Sequence, residues 1–476
     1  MKRKPLCTET TAMNLLLLEP SPYAAAPAFL NSGDTAWQLT AATFVGLQSL
    51  PGLAILYGGL VKRKWALNSA MMCFYAFAAV MVVWALWAYN IAFGTPLHLG
   101  PGILASFIGT PGPAISARQQ LGQGLIPLAA SSMPAMRIPG SAVVYFQFVF
   151  AAIAPLLIAG AVLGRMNFKA WMLFVPLWCT FVYSIGAFWL WGGGWLAQLG
   201  AVDFCGGYVI HVAAGISGFV AAWVIGPRST EDQRSFHPNN LMFALAGAGI
   251  LWLGWNGFNG GGPYFSNGDA GAAVLNTNLA TAAALIVWLI ADYFAIGKPN
   301  VVSMINGMIA GLVAITPAAG YVDGFGALAI GLAAGIIPWF TLNRLGRMAF
   351  FKRVDDTFGV LHTHAVAGGV GGLLVGIFAN PQAIEYFATR AKTAPIAVSG
   401  LLYGGGFGQL IAQFEALAVI VAFNAVMTFV VLKIVALFVP LRASEGEVAA
   451  GDLEIHGLEA TAVEHYPMPA ERMPAA

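Results

Sequence analysis

Long apolar runs recur along this chain, and they restrict it to very few folds. A helix needs about 20 predominantly apolar residues to cross the hydrocarbon core of a bilayer, and a spanning segment must satisfy its own backbone hydrogen bonds. Of the 476 residues, 59% are hydrophobic and 9% are charged, whereas soluble domains carry roughly 25% charged residues. The sequence therefore predicts an all-α integral membrane protein.

Eleven apolar runs predict eleven transmembrane helices. They cover residues 37–60, 66–93, 140–163, 170–191, 204–226, 239–260, 276–296, 301–320, 324–343, 360–379 and 401–440. The last run is too long for one perpendicular crossing, so we expect its first residues to lie outside the membrane or its helix to be tilted. A membrane domain of residues 36–440 then separates an amino-terminal tail, 1–35, from a carboxy-terminal tail, 441–476.

The connections between the runs carry an uneven charge, which predicts orientation. Connections after odd-numbered runs hold twelve cations, namely Lys62, Arg63, Lys64, Arg165, Lys169, Arg228, Arg234, Lys298, Arg344, Arg347, Lys352 and Arg353. Connections after even-numbered runs hold four, namely Arg118, Arg137, Arg390 and Lys392. Because cytoplasmic connections carry the excess of Lys and Arg, we expect a plasma (inner) membrane protein with its amino terminus outside and its acidic carboxy-terminal tail in the cytoplasm.

The first residues also resemble a secretory signal, because three cations at positions 2–4 precede a short apolar stretch at 13–18. That stretch is short for a signal peptide and ends at Glu19. An ordinary exposed tail is favoured, and cleavage stays open as the alternative.

One motif occurs twice, at the start of the fifth run and at the start of the tenth. Its copies share one spacing: Asp203, His211, Gly215 and Gly218 in the first, and Asp356, His364, Gly368 and Gly371 in the second. Because the copies lie an odd number of spans apart, the two halves must have opposite orientations in the membrane. Each histidine lies eight residues into its run, about 12 Å along a helix, close to the midplane of a core about 30 Å thick. We therefore expect both histidines at the same depth.

Ionisable residues inside a membrane are costly and indicate a functional site, so His211 and His364 are candidate pore residues. The aspartates have two interpretations: a helix cap, which we favour for Asp356, and a functional carboxylate, which stays equally open for Asp203.

The paired glycines are expected to permit close helix packing. His362 should point about 200° away from His364 on a helix, so we expect it to lie between helices and to share neither a metal nor a pore face with His364.

Several segments closely resemble the ammonium transporter (Amt/Mep/Rh) family. They are WGGGWLAQLGAVDFCGGYVIHVAAGISG, PGLAILYGGLVKRKWALNS, YFQFVFAAIAPLLIAGAVLGRMNF, GWNGFNGGGPY, AITPAAG and DDTFGVLHTHAVAGGVGG. The likeness extends from about Asp34 to Glu459, and the third run ends in GRMNF, as in the Mep and plant type-two branch. It implies eleven spans in an inverted repeat of five plus five, about 36–226 and 239–380, followed by the last helix in 401–440. It also implies a homotrimer with one pore per subunit.

The resemblance also implies roles for single residues. His211 and His364 match the family's hydrogen-bonded twin histidines, and Phe150 and Phe258 match its stacked phenyl gate. Trp191 matches the tryptophan of the ammonium recruitment site, Asp203 matches the aspartate below it, and Trp255 matches a pore-lining tryptophan. In the tail, the matching residues are Gly451, Asp452, His456 and Gly457, a region that couples subunits and in bacteria faces PII-type signalling proteins.

Two positions depart from the family pattern. Gly262 stands where many members have a serine that hydrogen-bonds ammonium, so one recruitment contact is missing. Gly164 stands where many members have a glutamate before the arginine that closes the third span, here Arg165.

These residues predict a transporter without a cofactor or metal, not an enzyme, whose substrate is ammonium, with methylammonium as its analogue. Ammonium and potassium are similar in size, so a pore separates them by taking a proton from ammonium and passing ammonia. The sequence leaves open whether the proton follows, and the branch resemblance favours net transport. Alternatives are an ammonia or gas channel, an ammonium sensor whose tail carries the output, and a membrane oxidoreductase in which His211 and His364 are axial haem ligands.

Overall fold

A computed structural model of the chain describes residues 26–131, 133–234, 237–383 and 398–460. The possible signal segment, Cys7, Arg390, Lys392 and the tail after residue 460 lie outside the described residues. Within the described part, eleven apolar helices follow one another: α1 (Ser32–Leu60), α2 (Arg63–Phe93), α3 (Gly140–Val162), α4 (Phe168–Gln198), α5 (Gly207–Ile225), α6 (Leu241–Gly260), α7 (Gly268–Ile296), α8 (Val301–Ile315), α9 (Gly324–Arg347), α10 (Leu361–Phe378) and α11 (Gly408–Ala436).

Ten of these helices are long and apolar enough to cross a membrane, and α8 is a shorter apolar helix. The fold class predicted from the sequence, all-α with eleven spans, is therefore confirmed. Short helices join the spans, for example Ala117–Leu121 and Thr230–Arg234, and the described residues contain isolated β-bridges but no strand.

Several predicted ends differ from the observed helices; the seventh helix, for example, begins at Gly268 instead of residue 276. The eighth helix ends at Ile315 instead of residue 320, because Pro317 lacks the N–H that would continue the helical hydrogen bonds. The carbonyls of Thr316 and Pro317 then accept hydrogen bonds from the amides of Cys205 and Phe204. The last helix begins at Gly408, so the first residues of the long final run lie outside it, as expected.

Helix α3 forms the centre of the first half, where it packs against α1, α2 and α5 and is almost entirely buried. In the second half, α8 packs against α7, α9 and α10. The third helix of each half thus supports the helix that carries the repeated motif, α5 in the first half and α10 in the second.

Small residues let α5 and α10 cross in close contact. A Cβ on Gly215 would overlap the backbone of Ala365, and a Cβ on Gly368 would overlap the carbonyl of Gly207. Since a residue deep in one helix meets the start of the other in both cases, the two helices run antiparallel, as an inverted repeat requires. The packing role predicted for these glycines accounts for both contacts.

The described tail folds back onto the start of α2 as two short helices, α12 (Glu445–Ala450) and α13 (Asp452–His456). The carboxylate of Asp452 accepts hydrogen bonds from the amides of Leu67 and Asn68, each at 2.8 Å. Lys64 Nζ donates to the carbonyl of Val448 at 2.9 Å. The tail therefore docks beside the basic connection at residues 62–64.

Candidate functional site

The two motif helices each begin with a π-helical segment, Gly207–Val212 in α5 and Leu361–Val366 in α10. Such wide turns are rare and frequently mark functional sites. His211 lies in the first segment and His364 in the second. The same local departure from α-helical geometry therefore presents one histidine from each half of the repeat.

The structure brings these histidines together in the interior. Their Nδ1 atoms are 3.3 Å apart, their ring centroids are separated by 5.4 Å, and their planes differ by 21°. His211 is fully buried and His364 is 5% exposed. Because a neutral imidazole has one N–H donor and one acceptor nitrogen, the pair forms this hydrogen bond when one ring donates and the other accepts.

This geometry disfavours the haem alternative. The two Nδ1 atoms face each other at 3.3 Å, which leaves no space for a macrocycle between them. The described residues also contain no group of three or more His, Cys, Asp or Glu side chains arranged to hold a metal.

Both motif aspartates act as caps of their helices. The carboxylate of Asp203 accepts four backbone hydrogen bonds, from residues 206–209, at 2.7–3.0 Å. The carboxylate of Asp356 accepts two, from Val360 and Leu361. Since both oxygens of Asp203 are already occupied and the residue is 5% exposed, its contacts favour the capping interpretation over direct binding of a cation.

A wall of aromatic rings lies next to His211. Phe150 and Phe258 stack with centroids 4.2 Å apart and planes 26° apart, and Trp191 meets Phe150 edge-on at 5.9 Å. The Trp255 ring stacks on His211 at 5.3 Å with an angle of 16°. These four aromatic residues, chosen from the sequence, are thus brought to one place.

Hydrogen bonds fix the two tryptophans. Trp191 Nε1 donates to the carbonyl of Asp203 at 2.6 Å, and Trp255 Nε1 donates to Thr316 Oγ1 at 2.8 Å. Thr316 was missed by the sequence analysis. Its position directly before Pro317, where α8 ends, is the signal that would have indicated it.

Cavities approach the aromatic wall from two sides. We call the one lined by Trp191, Asp203, Asp269 and Tyr321 the Asp203-side cavity; it has a volume of about 350 Å³. A pocket of about 100 Å³, lined by Phe150, Trp191 and Cys205, continues from it toward the rings. The Asp356-side cavity has a volume of about 300 Å³ and is lined by Trp255, His364, His362, Asp356, Asn306 and Tyr57. The phenyl stack and the fully buried His211 lie between the two.

His362 corrects one expectation from the sequence. It was expected to share no pore face with His364, yet both side chains line the Asp356-side cavity. A π-helical turn does not bring residues two apart onto one face, so both histidines line the cavity because it reaches more than one side of this segment. The cavity also extends around the start of α10, where the lining residues 356–360 precede the helix.

The two departures from the family pattern have local structural reasons. A Cβ on Gly262 would overlap Cys205 Sγ and lie 3.1 Å from a ring carbon of Phe204, so the thiol fills the space that a serine would need. Gly164 has φ +83°, a backbone conformation that non-glycine side chains rarely adopt. Cys205, two residues after Asp203, is a site residue that the sequence analysis did not select.

Comparison with known proteins agrees with this architecture. The model of the Ammonium Transporter Family matches residues 36–461. The chain is 51% identical over 447 residues to ammonium transporter 3 member 2 of Oryza sativa subsp. japonica, covering 91% of each chain. It is 48% identical over 439 residues to ammonium transporter 2 of Arabidopsis thaliana, covering 92% of this chain and 90% of the relative.

Among solved structures, Mep2 of Saccharomyces cerevisiae superposes with a TM-score of 0.75 at 30% identity, covering 90% of this chain and 92% of that one. The family match extends over most of the sequence and includes both motif helices, the aromatic wall and the docked tail. This chain belongs to the ammonium transporter family.

Proposed function

We propose that this protein moves ammonium across a membrane by binding the cation at the Asp203-side cavity, removing a proton, and passing ammonia along His211 and His364. The observation that carries the proposal is the hydrogen-bonded histidine pair, which lies behind a closed phenyl stack and between two cavities.

The phenyl stack explains why the cation must lose a proton. Phe150 and Phe258 are in ring contact at 4.2 Å, so a hydrated ion has no passage between them. Moving an unpaired charge into an apolar environment is far costlier than moving a neutral polar molecule. Ammonium can leave a proton behind and potassium cannot, so the same barrier that blocks potassium passes ammonia when the rings move.

Recruitment is assigned to the face of Trp191 and to the negative charge beneath it. An ammonium ion over a tryptophan ring gains about 0.5–2 kcal/mol by cation–π attraction. Asp203 holds Trp191 through its carbonyl and holds the start of α5 through its carboxylate. We therefore propose that Asp203 is a positioning residue whose charge also favours a cation in the adjoining cavity.

The histidine pair is proposed to carry the proton. Imidazole donates and accepts hydrogen bonds and changes charge near neutral pH, and the Nδ1–Nδ1 contact gives a direct path from one half of the repeat to the other. Net ammonium transport follows if the proton crosses with ammonia, and this is the mode that we propose.

The excess of cations on the Asp356 face of the molecule supports a cytoplasmic location for that face. We propose that the Asp203-side cavity opens outside the plasma membrane and that the tail is cytoplasmic. A homotrimer with one pore per subunit and a PII-type partner at the cytoplasmic face are proposed from family membership.

Electrophysiology on reconstituted protein tests this function. The wild type should give currents with ammonium and methylammonium and none with potassium. His211→Ala and His364→Ala should either lose transport or admit potassium, because each removes one ring from the buried pair. His237→Ala, at an exposed histidine outside the spans, is the matched control. Ammonium currents of normal size that still exclude potassium in both pore variants would reject the relay.

A further inference from the structure

A third histidine lies beside the proposed path and has no role in it so far. His362 is 6% exposed and lines the Asp356-side cavity together with His364. Its Nδ1 is buried and has no hydrogen-bond partner among the described residues. Because this atom has almost no accessible surface, exchange with cavity water goes through the other ring nitrogen, Nε2.

The other nitrogen of His362 faces the turn that ends α9. Its Nε2 would lie 3.2 Å from a Cβ placed on Gly346, and Gly346 belongs to the short turn Leu345–Arg347 that ends α9. This turn is partly exposed and lies on the Asp356 face. The imidazole therefore lies between the cavity that His364 also lines and the partly exposed turn at the end of α9.

Polar groups surround the space between the two rings. Asn306, Thr357 and Asp356 line the same cavity, and its volume of about 300 Å³ leaves room for several water molecules among polar partners. The carboxylate of Asp356 accepts hydrogen bonds from two amides and contributes negative charge there. Tyr57 also faces this space, and the nearby Lys352 and Arg353 are exposed.

We propose that His362 is the exit step of the proton path. The proposal rests on the proposed function and deepens it. A proton held on a nitrogen of His364 passes through cavity water to His362, so that one N–H bond breaks and another forms. His362 then gives the proton to water at the mouth, and ammonia that has crossed accepts it and becomes ammonium. Nothing is oxidised or reduced, and one ammonium leaves for each ammonium that entered.

The experiment separates charge movement from ammonia movement in reconstituted vesicles. The current evoked by ammonium measures charge movement. Alkalinisation of the vesicle interior, beyond that seen in protein-free vesicles, measures ammonia movement. His362→Gln keeps a hydrogen-bonding side chain but cannot carry a proton. The current should fall about tenfold or more, the scale of a lost proton-transfer group, while alkalinisation rises because ammonia enters without its proton.

A second variant and a control make the result specific. His362→Glu restores a group that can titrate and should recover part of the current, whereas His237→Ala should match the wild type. An unchanged current in His362→Gln overturns the proposal. Loss of both current and alkalinisation in that variant also overturns it, since His362 would then serve packing.

The wild-type protein distinguishes failure of the proposed exit step from failure of the proposed ammonium transport. If it gives neither current nor alkalinisation, the proposed function itself fails. If it gives alkalinisation without current, ammonia conduction stands and the exit step is rejected, because no proton crosses.

Discussion

The carboxylate of Asp203 shows how a functional motif can rest on a structural contact. Four amides point at its two oxygens, so the charge that lines the Asp203-side cavity is the same charge that starts α5. The sequence left capping and recruitment equally open, and the contacts favour capping with an electrostatic contribution.

Replacing Asp203 by Asn should therefore impair folding as well as transport. An amide offers one acceptor oxygen and turns an NH₂ group toward backbone donors, which leaves buried amides unsatisfied at about 1–3 kcal/mol each. Thermal unfolding of the detergent-purified protein measures this, with Asp356→Asn as the matched control, which caps only two amides and should cost less. Normal stability with lost transport would instead assign Asp203 a direct contact with the cation.

A serine introduced at position 262 tests the coupling with Cys205. Gly262→Ser alone should reduce ammonium transport, because its Cβ overlaps the Cys205 thiol and overpacking costs about 1–3 kcal/mol. Adding Cys205→Ala opens the space, so the double variant should regain transport and bind ammonium more tightly than the wild type through the new hydroxyl. Concentration dependence of the current is the measurement. Equal losses in the single and double variants would show that the two positions are independent.

At the scale of single elements, Asp452 and His456 hold the tail helices on α2. A change of pH affects docking through these two side chains in opposite directions. Burial raises the pKa of Asp452 to about 6, so its docked state is most stable at low pH and weakens as the pH rises toward 6. Burial lowers the pKa of His456, whose Nε2 lies 3.0 Å from Asn68 Oδ1, so its docked state weakens as the pH falls below about 6.5.

Single variants should separate these two effects. With Asp452→Asn, docking should weaken on acidification, because only the histidine still titrates; with His456→Gln, docking should weaken as the pH rises from about 4 to about 6. Hydrogen exchange of the amides in Glu445–His456 measures docking across this range. Two identical pH profiles would show that neither side chain controls the tail.

At the scale of the whole molecule, each half forms hydrogen bonds with the start of the motif helix in the other half. The amides after Asp203 bond to carbonyls that follow α8, and the amide of Thr357 bonds to the carbonyl of Ala161 near the end of α3. Each motif helix is therefore positioned by the third helix of the other half, and mirrored placement of the two faces across the membrane is the consequence.

Cysteine labelling with an impermeant maleimide tests that placement. In a Cys7→Ser background, where the remaining cysteines are buried, Leu199→Cys on the Asp203 face should react in intact cells. Ala450→Cys in the tail should react only after permeabilisation, because both positions are exposed but on opposite sides. The reverse pattern would overturn the orientation and the exit direction of the proton.

The sequence by itself determined the eleven helices, the inverted repeat and the two histidines in matched positions of that repeat, because apolar length and repeated spacing are properties of local segments. It also indicated Phe150, Phe258, Trp191 and Trp255, but only through family resemblance. The tertiary structure decided how close the histidines lie, that Asp203 is a saturated cap, and that Cys205 occupies the space beside Gly262. It also decided that His362 lines the cavity. The histidine contact and the packing of Cys205 against Gly262 depend on the approach of distant segments, which cannot be read from the spacing of residues along one helix.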